Sequence, residues 1–224
     1  MWVSVKLQKR EESAIRSLFN QTSADFRITH ITRLENSKLW EKYVLKRKHM
    51  VNEIGVSKIN ERALFHGTSH HNIPVICQEG FDTRVETKNG ALYGKGENYD
   101  LWTDIDVYSQ KNSENLDVYF ILIFYFGCLL VRYFILDNCL PPGTYFSTTS
   151  NYSQRYAGSS NKLIIARVLC GNSVQGNPSY KRPPRDISGR MYDSCVNVER
   201  GPSIYCLFDN SQFYPAYIIE YTKK

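Results

Sequence analysis

"DVYFILIFYFGCLLVRYFIL", Asp117 to Leu136, is the most apolar run in an otherwise polar chain, and its reading decides between a membrane protein and a folded domain. A membrane-crossing helix needs about 20 consecutive apolar residues, and Val118 to Leu136 just reaches that length. Arg132 lies inside it, at a cost of roughly 2.5–3.5 kcal/mol near a bilayer centre. A single span would also put the chain before it and the chain after it on opposite sides of the membrane. The motifs that carry chemistry stand on both flanks, so a span would split the site; no membrane partner is expected.

Outward from that run, composition narrows the class. A chain of 224 residues is long enough for one well-buried domain and short for two. With 42% hydrophobic and 22% charged residues it has ordinary globular composition, which excludes disorder as the default. The 16 tyrosines fit half-buried strands better than a ligand lining. The net charge of +6 is spread over Lys6, Lys9, Arg10, Lys42, Lys46, Arg47, Lys48 and Arg182 among others. With no basic block and no aromatic–basic motif, it reads as a solvated surface and not as a nucleic-acid track.

The six cysteines show neither C-x-x-C nor Cys/His ligand spacing, so reduced thiols in the nucleus or cytoplasm are expected. The opening "MWVSVKLQKREES" has no signal-peptide pattern, and the sequons at Asn20 and Asn151 read as chance matches.

Periodicity predicts a helix over "ENSKLWEKYVLKRKHMVNE", capped by Asn36 or Ser37, with Leu39, Trp40, Tyr43, Arg47, Met50 and Val51 at helical spacing. "RALFHGTSHHNIPVICQEGF" predicts a short strand ending at Phe65, a turn at Gly67 and a short helix stopped by Gly80. "KLIIARVLCG", "PSIYCLF" and "AYIIEYT" are short and rich in β-branched and aromatic residues, hence strands. Several strands and few helices without regular alternation argue for an α+β fold.

Three motifs carry chemical interest. "FHGT", Phe65 to Thr68, can place an imidazole and a bare backbone beside a ligand, because glycine lets the main chain approach closely. The adjacent "SHH" lacks a carboxylate or cysteine at ligand spacing, so no metal is expected. "YGKG", Tyr93 to Gly96, is not a phosphate loop, since Gly96 stands where Ser or Thr would have to follow the lysine. In "GTYFSTTSNYSQRY", Gly143 to Tyr156, Ser153 and Tyr156 stand three apart and on a helical turn would share a face.

Taken together, "LFHGTS", "YGKG", "TYF", "SNYSQRY", "RPPR", "YDSCVN" and "DNSQFYPAYIIEYT" resemble, in order and wording, the catalytic domain of the poly(ADP-ribose) polymerase family. The nearest likeness is to its mono-ADP-ribosyltransferase branch, whose longer members carry CCCH zinc fingers and WWE domains. The resemblance implies an α+β ADP-ribosyltransferase fold, with split antiparallel sheets and flanking helices around an NAD cleft. It implies NAD as co-substrate, no metal, and protein acceptors that include the enzyme itself.

By that resemblance His66 and Tyr145 match the first two members of the family's triad, and the third aligns with Ile204. His66 would bond an adenosine-ribose hydroxyl, while Tyr145 and Tyr156 would sandwich the nicotinamide. Gly67 backbone and Ser153 would hold the carboxamide, with Thr68 beside them. Chain-elongating members carry glutamate at the third position; isoleucine cannot polarise a hydroxyl, so the resemblance implies transfer of a single ADP-ribose. The rival reading is a catalytically inactive NAD- or ADP-ribose-binding module.

In the family "YGKG" runs directly into a residue followed by "YF". Here the 47 residues 97–143 intervene, an unusually long excursion inside a compact domain at 1–224. A tolerated insertion is one reading, since each doubling of loop length costs only about 0.6 kcal/mol. The reading that fits better is an intron translated in frame. The insert is rich in Phe, Tyr, Ile, Leu, Asn and Asp and lacks Ala, and removing Glu97 to Gly143 rebuilds "YGKGTYFSTTSNYS".

Overall fold

The structure is a computed structural model and describes residues 2–82 and 140–224. The apolar run, "YGKG" and most of the insert lie outside the described residues. Among the described residues no helix is long and apolar enough to cross a membrane.

After a short strand β1 (Val3–Val5), helix α1 (Lys9–Asn20) opens with Glu11 accepting from the Gln8 N–H at 3.3 Å. Ile15 and Phe19, four apart, form its buried stripe. Strand β2 (Phe26–Glu35) leads into α2 (Ser37–Ile54), the helix expected from periodicity. Of the two possible caps the fold uses Asn36: its Oδ1 accepts from the Leu39 N–H at 3.3 Å. Its Nδ2 donates to the carbonyls of Cys77 and Gln78 at 2.9 and 3.1 Å, so one buried amide ties the start of α2 to the end of α3 (Asn72–Glu79). Gly55 and Gly80, at φ 84 and 88, end the two helices where a side chain would be strained.

Strand β3 (Glu61–Gly67) runs two residues past the end expected at Phe65, because His66 and Gly67 still pair with Ile164 and Leu163 of β5 (Lys162–Leu169). The remaining elements are β4 (Thr144–Ser147), α4 (Ser150–Gln154), β6 (Ser173–Gln175), β7 (Ser194–Val196), β8 (Ile204–Leu207) and β9 (Phe213–Lys223). The three strands predicted from β-branched content are β5, β8 and β9.

The strands form one sheet in the order β1-β2-β9-β5-β3-β4-β8-β7-β6, antiparallel except for the parallel pair β6–β7. Its two halves meet at β3 and β4 through one residue pair, Phe65 opposite Ser147. The expected split is thus a seam inside one mixed sheet. Pro215 is tolerated in β9 because pairing with β2 has already ended at Tyr217 and the register with β5 shifts beside it.

Helix α1 buries Phe19 against Phe65, Leu163, Ile165 and Ile219. A side chain like Phe19, with no exposed surface, contributes about 1.5–3 kcal/mol by leaving water. Helix α3 packs Ile73 and Ile76 against Leu64, Phe146 and Ile164, while α2 sets Leu39, Tyr43 and Met50 on Tyr214 and Ala216 of β9. Few helices on an open, largely antiparallel sheet make this an α+β domain.

Candidate active site

The seam between β3 and β4 is where the predicted residues gather. His66, near the end of β3, is half-buried, and its ring meets Phe81 and Phe146 with centroids 4.9 and 5.6 Å away. Its Nδ1 lies 2.8 Å from the carbonyl oxygen of Tyr145. A carbonyl only accepts, so Nδ1 carries the hydrogen and Nε2 is left with a lone pair. Burial pushes the imidazole down to about 4, only partly offset by the Tyr145 carbonyl, so the ring is neutral at physiological pH. A neutral His66 can accept a hydroxyl proton at Nε2.

Gly67 follows, and the fold requires it to be glycine. A Cβ there would lie 1.8 Å from the Ser153 carbonyl oxygen and 3.0 Å from Cβ of Tyr156. The α4 turn therefore sits directly on the Gly67 backbone. The buried Ser153 hydroxyl donates to the Phe65 carbonyl at 3.2 Å, which pins it to the same strand. The expected shared helical face is only partly realised: α4 ends at Gln154, and Tyr156 lies in the turn after it, its N–H donating to the Ser153 carbonyl at 3.1 Å. Tyr156 reaches Tyr152 instead, with ring centroids 5.5 Å apart and its hydroxyl donating to that of Tyr152 at 3.3 Å.

Tyr145 and Ile204 meet on the β4–β8 side. Ile204, 2% exposed, belongs to a cluster with Leu140, Cys195 and Cys206, against which Tyr145 and Tyr152 pack. The Tyr145 hydroxyl donates to the carbonyls of Pro141 at 2.5 Å and Leu140 at 3.2 Å. The Cys206 thiol donates to the same Pro141 carbonyl at 3.2 Å. Leu140 and Pro141, counted to the insert on sequence, are thus built into the wall behind Tyr145. Gly143 is equally constrained, since a Cβ would lie 2.6 Å from Cys206 Sγ and 2.8 Å from the Leu207 carbonyl.

His66, Gly67, Tyr145, Ser153 and Ile204 are therefore gathered across the seam, with Tyr156 at its edge. Thr68 is buried beyond Gly67, and its hydroxyl accepts from Asn72 at 2.9 Å. Of these side chains Ser153, Thr68 and Ile204 carry no ionisable charge, and His66 is neutral at physiological pH. Sequence reading missed Tyr152, whose i, i+4 spacing to Tyr156 was a usable signal. It gave no role to Asn197, the last residue of "YDSCVN", which bonds the backbone of Ser203 and Ile204. Among the described residues no group of His, Cys, Asp or Glu is arranged to hold a metal ion.

The model of the poly(ADP-ribose) polymerase catalytic domain matches residues 9–100, ending within the first residues of the insert. The mouse protein mono-ADP-ribosyltransferase PARP11 is 32% identical over 222 residues, which cover 98% of this chain and 60% of that protein. Human protein mono-ADP-ribosyltransferase PARP12 is 31% identical over 225 residues, covering 98% of this chain and 25% of that protein. Human protein mono-ADP-ribosyltransferase PARP14 is 28% identical over 216 residues, 95% of this chain and 10% of that protein. The chain thus spans between a tenth and three fifths of the length of these relatives.

Proposed function

The chain belongs to the poly(ADP-ribose) polymerase catalytic-domain family, and from that premise we propose that it transfers one ADP-ribose from NAD to a protein side chain, its own included, in the nucleus or cytoplasm. The observation that carries this reading is the close approach of Gly67 to Ser153, with the neutral imidazole of His66 beside it. The bare Gly67 backbone offers main-chain groups, and the Ser153 hydroxyl, donating to the Phe65 carbonyl, is left as an acceptor; a planar carboxamide needs one donor and one acceptor in a fixed plane. An imidazole with a free lone pair suits a ribose hydroxyl.

In this reading the Gly67 main chain and Ser153 hold the nicotinamide carboxamide, and Tyr145 and Tyr156 flank the ring. His66 Nε2 accepts from the adenosine-ribose hydroxyl. The bond between ribose C1′ and the nicotinamide nitrogen breaks with its electron pair leaving on nicotinamide. The acceptor then forms its bond to C1′ and gives up its proton. Ile204 supplies no base for that proton, so activation falls to the acceptor itself.

The test is incubation with labelled NAD of this chain and of a version lacking Glu97 to Gly143. Removal places Gly96 directly before Thr144, so the position that excludes a side chain keeps a glycine. Single ADP-ribose units on both support the reading; labelling of the shortened chain alone means that the insert disables the site. No label on either, with NAD still bound, favours the inactive binding module.

Ile204→Glu is expected to yield no polymer. The side chain is 2% exposed against Leu140 and Cys206, so a carboxylate there is buried without a partner and destabilises the fold by about 2–4 kcal/mol. Product length on a denaturing gel and a urea midpoint check both; long polymer from this one change would refute the assignment.

A further inference from the structure

An isoleucine has no polar atom through which a ligand could fix it, so the third triad position is set by side-chain packing against Leu140 and Cys206 and by its main chain. Ile204 opens β8 opposite Ser147, and the ladder from β8 to β7 is only two pairs long, Cys195 with Cys206 and Val196 with Tyr205. Asn197, one residue past the end of β7, extends it. Its Oδ1 accepts from the N–H groups of both Ser203 and Ile204, each at 3.1 Å. Its Nδ2 donates to the Ser203 hydroxyl at 3.0 Å, and its own N–H donates to the Ile204 carbonyl at 3.3 Å. From one residue past the end of β4 the Thr148 N–H donates to the Ser203 carbonyl at 2.9 Å.

The Ser203–Ile204 peptide is therefore gripped from both neighbouring strands. The grip on the β7 side comes mostly from one side chain. Without it, two main-chain N–H groups lose their acceptor at the point where the chain enters the site. Resting on the transferase reading above, we infer that Asn197 is a positioning residue of the reaction: it touches no substrate, and it sets where Ile204 stands beside Tyr145.

Asn197→Ala and Asn197→Asp separate this role from general damage. The aspartate keeps the shared acceptor oxygen, and its second oxygen accepts from the Ser203 hydroxyl. In the full chain, Asn197→Ala is expected to lower kcat about tenfold with KM for NAD within about twofold, because geometry and not ground-state binding is lost. Asn197→Asp should stay within about threefold of the unmodified protein. Amide hydrogen exchange at Ser203 and Ile204, which needs no turnover, should quicken at least about tenfold in the alanine variant and not in the aspartate one. Unchanged turnover or unchanged exchange in Asn197→Ala overturns the inference, as does an aspartate variant as impaired as the alanine. If neither the unmodified chain nor the version lacking Glu97 to Gly143 transfers, the transferase reading fails, and the exchange arm still decides whether Asn197 holds this peptide.

Discussion

His66→Ala is expected to lower kcat/KM for NAD by about 100-fold or more, through two losses of about 1–3 kcal/mol each. In the proposed reading the variant removes the lone pair offered to the ribose hydroxyl. It also removes the Nδ1–H that donates to the Tyr145 carbonyl at 2.8 Å across the seam. Steady-state transfer kinetics check the effect, and full activity would sink the placement of the site.

The same residue dictates a pH dependence. Its folded value of about 4 lies below the ordinary 6.5, so the unfolded chain binds the proton more readily. Stability from the neutral ring is fully present above pH 6.5 and is lost as pH falls toward 4, amounting to roughly 3 kcal/mol at most. The stability gap between the unmodified protein and His66→Ala should therefore shrink over that range in urea titrations. Transfer should show no loss attributable to His66 between about pH 5.5 and 8.

Gly67→Ala should be as damaging to activity, by a different route. The new Cβ meets main-chain atoms, the Ser153 oxygen at 1.8 Å and the Ser153 carbon at 2.9 Å, so no side-chain rotation relieves the clash. Strand β3 and the α4 turn must separate, at an overpacking cost of about 1–3 kcal/mol. In the proposed reading, separation also displaces the Gly67 and Ser153 groups that hold the carboxamide. Transfer should fall more than about 100-fold, since a displacement of order 1 Å at a reacting site already costs that much. Comparing the variant's urea midpoint with its affinity for nicotinamide distinguishes a local opening from global unfolding. Wild-type affinity for nicotinamide would refute the assigned pocket.

Much of this molecule is legible in sequence where the signal is local. Asn36 before an apolar helical stripe, and glycines at 55 and 80 after the last turns, mark α2 and α3, because caps and breakers act within one turn of chain. The β-branched runs of β5, β8 and β9 are long or apolar enough to read alone. Strands β6 and β7, with three residues each, carry too few positions to show any period. The two extra residues of β3 exist because β5 offers them partners, which propensity at His66 and Gly67 does not encode.

The sequence by itself carried the resemblance to the family and supplied His66, Gly67, Tyr145, Ser153, Tyr156 and Ile204 as candidate site residues. These are matters of residue type and order. Tertiary structure alone decided that Gly67 lies under the Ser153 carbonyl, that the imidazole of His66 is fixed by a carbonyl 79 residues away, and that Leu140 and Pro141 brace Tyr145. It also decided that Asn197 holds the main chain of Ile204. Each of these is a hydrogen bond or steric contact with the main chain of a distant or turned segment. Main-chain groups are the same at every residue, so only the fold reveals which of them meet.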